Sequence, residues 1–184
     1  MAKAGRKRRT GKRESNGRTQ RPYAHQQEAE NLCVVVEARQ RHLGVTQQQA
    51  TDAKSGHTMG VLHIRGIVDD RQLNASNSYV MDYLRVHRLK GWPRPHPKVA
   101  AYAEMIAGMS GGYEADAETV QAAVDKWNAA TTAIIDSLGM REAMPAIHAL
   151  KMFALYETHP DECTPARAGP LKEGCNALAR HYGV

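Results

Sequence analysis

Aromatic residues are scarce in this chain. Phenylalanine occurs once and tryptophan twice in 184 residues, so alanine, leucine, valine and methionine must fill most of any core. Cysteine occurs three times, at Cys33, Cys163 and Cys175. So few, and an odd number, set no disulfide framework and point to a reducing compartment. No apolar run approaches the roughly 18 residues that a bilayer-spanning helix needs. The basic N-terminus is not followed by an apolar segment, so no secretory signal is expected.

Catalytic signatures are also missing. The sequence has no His-Glu-x-x-His, no phosphate-cradling Gly-x-x-x-x-Gly-Lys loop, no Gly-x-Gly-x-x-Gly and no Gly-x-Ser-x-Gly. The glycines at 108–112 end a helical pattern rather than opening one after a strand, which makes a poor phosphate site. Asp69-Asp70 and Asp161-Glu162 are paired carboxylates in sequence only, because adjacent residues on a helix point about 100° apart. His159, Cys163, Cys175 and His181 have spacings of three, eleven and five residues. Only the first pair is as close as zinc ligands usually are, and Cys175 falls on the apolar face of its own helix. The reading is therefore a non-enzyme with no catalytic residues, no metal and no cofactor.

What the chain does have is a separation of charge. Residues 1–22 carry nine cations, Lys3, Arg6, Lys7, Arg8, Arg9, Lys12, Arg13, Arg18 and Arg21, against the single acid Glu14. The net charge of the whole chain is +6, which leaves −2 for residues 23–184. The arm has no hydrophobic periodicity and three glycines, so disorder in the free protein is expected. Such a block of cations suits a polyanion, whose counterions are released on binding. Gly5-Arg6-Lys7-Arg8 is loosely like the core of an AT-hook, without its proline. With no hydrophobic anchor beside the arm, nucleic acid is the expected partner and membrane is not.

The body reads as mainly α-helical. Residues 25–43 form a helix with Ala29, Leu32, Val36 and Leu43 toward one face, ended by Gly44. Thr46 and Gln49 have the spacing of a capping box, and so do Asp69 and Gln72. A short helix over 58–65, a turn at Gly66 and a long helix to about Lys90 make the outline of a helix-turn-helix. A DNA-reading unit prefers a small residue four places before the turn glycine, where this chain has Leu62. Arg71, Gln72 and Asn74 lie early in the second helix, with Arg85 and Arg88 later as candidate phosphate contacts. Asp69 and Asp70 beside them would repel phosphate.

Gly91 to Pro97 carries three prolines at alternate positions and reads as an extended linker, its exit fixed by Trp92. Residues 97–109 form a modest helix. Asp116 caps a clear helix to Leu138, on which Val120, Val124, Trp127, Thr131, Ile134 and Leu138 repeat every seven residues. Pro145 occupies the first turn of a returning helix to about Tyr156, with Ile147, Leu150, Phe153 and Ala154 inward. Pro170 starts a last helix over Leu171–His181. The expected organisation is an arm at 1–22, an N-terminal helical region at 23–91, a linker at 92–98 and a C-terminal helical region at 99–184.

The stretches at 5–22, 56–80 and 171–184 resemble a group of small, basic-armed proteins of alphaproteobacterial phages and prophages. That resemblance implies a phage protein acting in the cytoplasm of a bacterial host, and carries no activity or site residues with it. The outline of a basic N-terminus followed by helices is also similar to phage terminase small subunits. Two functions follow as expectations. One is a DNA-binding regulatory or accessory protein using the arm cations with Arg71, Arg85 and Arg88. The other is a packaging or virion component that forms homo-oligomers through residues 117–157.

Overall fold

The computed structural model describes Ser15, residues 24–92 and residues 116–184, with side chains in the first helix from Leu32 onward. The arm apart from Ser15, the linker beyond Trp92 and the helix expected at 97–109 lie outside the described residues. Seven α-helices and no strand occur among those described. They are α1 (Ala24–Leu43), α2 (Gln47–Thr51), α3 (Thr58–Ile64), α4 (Asp70–Leu89), α5 (Ala117–Leu138), α6 (Met140–Leu150) and α7 (Pro165–Tyr182). Three-residue and four-residue 3-10 turns lie at Pro160–Glu162 and Ala53–Gly56, and α6 runs on through a π-turn at Lys151–Leu155.

Local sequence sets most helix ends. Thr46 and Gln49 form a reciprocal capping box at α2, and Asp69 and Gln72 form another at α4. The Asp116 carboxylate accepts the Thr119 amide at α5. Each such cap satisfies main-chain N–H groups that the helix leaves over, and contributes about 1 kcal/mol. Gly44, Gly66 and Gly139 take positive φ of 62°, 71° and 76° where helices stop, a conformation that costs glycine least.

One core joins helices from both sides of the proline segment. Met59, Leu62, Val68, Leu73 and Tyr79 pack with Ile134, Ile147, Leu150, Phe153, Leu155, Leu171, Cys175 and Leu178. The described helices before and after that segment therefore share their main interior: α7 packs against α4, α5 and α6 together. A smaller cluster of Val36, Leu43, Val45, Ala50 and Val61 holds the C-terminal half of α1 over α2 and α3. Arg39 clamps this unit by donating to the main-chain oxygens of Ala50 and Asp52 at 2.9 and 3.2 Å.

Three expectations are corrected. Leu32 is 57% exposed rather than inward, because the packing partners of α1, chiefly α2, meet only its C-terminal half. Pro145 stands six residues into α6 rather than in its first turn. Gly139 ends α5 and starts α6 in a single residue, so the second helix begins earlier than the proline implies. The last helix begins at Pro165 behind Thr164, not at Pro170, which lies inside it. Within α3 the residue that must be small is Gly60: a Cβ there would stand 1.7 Å from the Lys54 carbonyl oxygen. The tight crossing is between α3 and the preceding 3-10 turn.

The αα-hairpin of α5 and α6 forms as expected. Ile134 is fully buried in the core, and Trp127, Ile135 and Leu138 pack against it. Much of the seven-residue stripe on α5 thus faces the chain's own interior.

Candidate nucleic-acid interface

The exposed side of α4 has a regular composition. Arg71, Asn74, Ser78, Met81, Arg85 and Arg88 follow one another in steps of three and four, so they share an arc of about 100° on the helix. Arg71, Asn74, Arg85 and Arg88 are exposed, and Ser78 and Met81 half-buried. At 1.5 Å per residue the two ends of this row stand about 25 Å apart. The three sequence-predicted cations of the body are thus brought to one face, with amide and hydroxyl groups between them. The nine predicted cations of the arm (Lys3, Arg6, Lys7, Arg8, Arg9, Lys12, Arg13, Arg18 and Arg21) lie outside the described residues.

Each acid beside this face has a partner in the fold. The Asp69 carboxylate accepts the Gln72 amide at 2.7 Å as the helix cap. Asp70 binds Lys54 at 2.8 Å and His63 at 3.0 Å. The Lys54 hydrogen bond and charge, with His63, hold the Asp70 carboxyl below the usual carboxylate range. Lys54 therefore offsets part of the repulsion expected from this pair. Two early residues are redirected. Gln72 is buried and donates to the Asn176 side chain at 3.0 Å, so it does not face outward. Arg71 donates through Nε to the main-chain oxygen of Val184 at 2.5 Å, which fixes its direction while leaving its other donors.

Alongside the row runs an open groove of about 420 Å³, lined by Asn74, Asn77, Ser78, Met81, Asp82, Lys126 and Tyr182. Its floor is a charged junction of three helices. Asp82 of α4 is only 6% exposed and accepts from Lys126 Nζ of α5 at 2.8 Å and from the Tyr182 hydroxyl of α7 at 2.9 Å. Burial first, and then the bond to Asp82, push the Tyr182 hydroxyl well above its ordinary value, so it stays a donor. Sequence reading missed this junction. Its members are 44 and 100 residues apart, and no local pattern signals such a pairing.

The other candidate groups are dispersed. His159 bonds through Nε2 to the His42 carbonyl at 2.7 Å. Cys163 is half-buried and Cys175 fully buried, the latter in the core, where burial pushes its thiol up to about 12. His181 is exposed and stacks edge-on against Tyr182. Among the described residues no three His, Cys, Asp or Glu side chains gather as a metal site. Asp161 goes to Arg65 at 2.6 Å and Glu162 to Arg167 at 3.4 Å, so the adjacent acids diverge. The cavity beside His57, Asn77 and Glu157 has about 20 Å³, room for one water molecule.

The described part of the molecule is a helical body presenting a polar, cationic helix face. Comparison with protein-family models, with curated proteins and with solved structures finds no match for the chain. No described helix is long and apolar enough to cross a membrane.

Proposed function

We propose that this is a non-enzymatic nucleic-acid-binding protein, with DNA as its first ligand and a phage regulatory or accessory role. The observation that carries this reading is the charge separation along the chain, +8 in residues 1–22 against −2 in the rest. The arm supplies phosphate affinity. The face of α4 with Arg71, Arg85 and Arg88, its neighbouring Asp70 and Asp82 paired to lysines, gives a second cationic surface that orients the body. Fluorescence anisotropy of labelled duplex DNA tests it. Full-length protein binds with a steep salt dependence, and deletion of residues 2–21 removes most of the affinity. Equal affinity with and without the arm rejects it.

A second reading, a packaging or virion component, is favoured by apolar side chains left in solvent on α6. Met140 and Met144, one turn apart, are 61% and 57% exposed. Light scattering separates the two: a ring of many subunits supports the second reading, a monomer or dimer the first.

A further inference from the structure

The C-terminal end of α4 holds a graded row of rings. Trp127, packed against the core, lies 5.3 Å from Tyr83 between ring centroids; Tyr83 lies 4.4 Å from His87, and His87 lies 5.2 Å from Trp92. The row runs from the interior to the surface, where Trp92 is 49% exposed. The backbone holds the last ring in place. Gly91 turns at φ +62°, its amide donates to Arg88, and the Trp92 amide donates to the His87 carbonyl at 3.0 Å. This is the glycine-closed helix end that commonly carries an apolar contact across it. One role of Trp92 is therefore to make that contact with His87.

That role does not account for the charge around the ring. Residues 83–92 contain Arg85, Arg88 and Lys90 and no acid. The Lys90 ammonium sits 4.6 Å from the Trp92 ring centroid. Cations in the last turn also offset the helix dipole, yet three of them with a half-exposed indole make a surface that is both positive and aromatic. The chemistry that fits such a surface is an anion with flat, unstacked rings.

We infer that the end of α4 is a stacking platform for unpaired nucleotides, so that the protein prefers single-stranded to duplex nucleic acid. A base stacks on the half-exposed Trp92 ring as Lys90 moves off it to meet an adjoining phosphate, and Arg85 and Arg88, round the helix, add to the positive field. Duplex DNA hides its base faces and gains nothing from the indole. This inference rests on the nucleic-acid reading above and adds the class of strand.

The test uses full-length protein with labelled oligothymidylate, oligouridylate and a duplex of the same length, at two salt concentrations. Wild type binds a single strand more tightly than duplex, with quenching of tryptophan emission. Trp92→Ala weakens single-strand binding about tenfold or more and leaves duplex binding unchanged. Trp92→Leu, which keeps an apolar contact at the helix end but has no π face, shows the same loss with an unchanged thermal melt. Equal affinity of wild type for both forms, or single-strand binding indifferent to Trp92→Leu, overturns the platform and leaves Trp92 as a helix-end contact only. Arm deletion lowers both affinities and preserves their ratio. If the deletion changes nothing while Trp92→Leu still acts, the arm reading fails and the platform stands.

Discussion

At Gly60 a single methyl group decides whether two elements can meet. The added Cβ would overlap the main chain of Lys54, with its carbonyl carbon at 2.6 Å, and backbone cannot swing aside as a side chain can. Gly60→Ala is expected to destabilise by about 3 kcal/mol, read as a lower urea midpoint. Gly174 is the softer case. There a Cβ meets the flexible end of Leu150 at 2.8 Å, so Gly174→Ala loses less. His57 caps α3 by accepting the Gly60 amide on Nδ1 at 3.0 Å, which requires that nitrogen to be unprotonated. Burial, then the nearby Arg39 charge, hold its pKa below 6.5. The unfolded chain therefore takes up the proton first as pH falls. The stability that neutral His57 provides is whole above about pH 6.5 and declines below it. His57→Asn keeps a capping acceptor and has no proton to take up. Chemical denaturation from pH 7.5 to 5 should show a shallower loss for the variant than for wild type, a window that lies above the carboxylate range.

Among the elements, α4 has the most to do. One side packs in the core through Leu73, Ala75 and Tyr79, and the other presents the row from Arg71 to Arg88. The junction at Asp82 sets how α4 sits against α5 and α7. Lys126→Met leaves the buried carboxylate with Tyr182 as its partner among the described residues and is expected to cost about 1–3 kcal/mol. Asp82→Asn in the same background removes the orphaned charge and should recover part of that loss, a coupling that a double-mutant cycle in urea measures. On the reading proposed above, Arg85→Glu with Arg88→Glu weakens duplex binding and flattens its salt dependence while the melt stays unchanged; an unaltered salt slope would remove the α4 face from the interface. In α6, Pro145 denies the helix one main-chain bond. Its exposed position means that Pro145→Ala should stabilise, by about 1–2 kcal/mol.

For the molecule as a whole, the notable arrangement is that a fold closed by its last helix carries its positive charge at the other end of the chain. α7 lies against α4, α5 and α6, and Arg71 reaches Val184. Removing α7 would take Leu171, Cys175 and Leu178 out of the core and uncover Leu150, which lies against Gly174. A chain cut before Thr164 should lose its cooperative melt, whereas one lacking residues 2–21 should keep it, because that segment has no hydrophobic periodicity with which to fill a core. Circular dichroism on the two truncations distinguishes a structural end from a functional one.

Short-range chemistry accounts for the helices and most of their limits. The capping boxes at Thr46 and Asp69, the Asp116 cap and the stops at Gly44, Gly66 and Gly139 are short-range chemistry, complete within four residues. The inward sets Ile147, Leu150, Phe153 and Ala154, and Leu171, Cys175 and Leu178, follow from helical periodicity. The charge separation needs no fold at all. Tertiary structure decided whatever depends on a distant neighbour. It left Leu32 in solvent, since among the described residues the α1 seam begins at Val36. It carried α6 and α7 through Pro145 and Pro170, where packing outweighs one missing hydrogen bond in each. It paired Asp70 with Lys54 and Asp82 with Lys126, clearing acid from beside a cationic face. Only chain segments brought together from 16 and 44 residues away could do that, because the energy of such a contact depends on position in space and leaves no mark in local sequence.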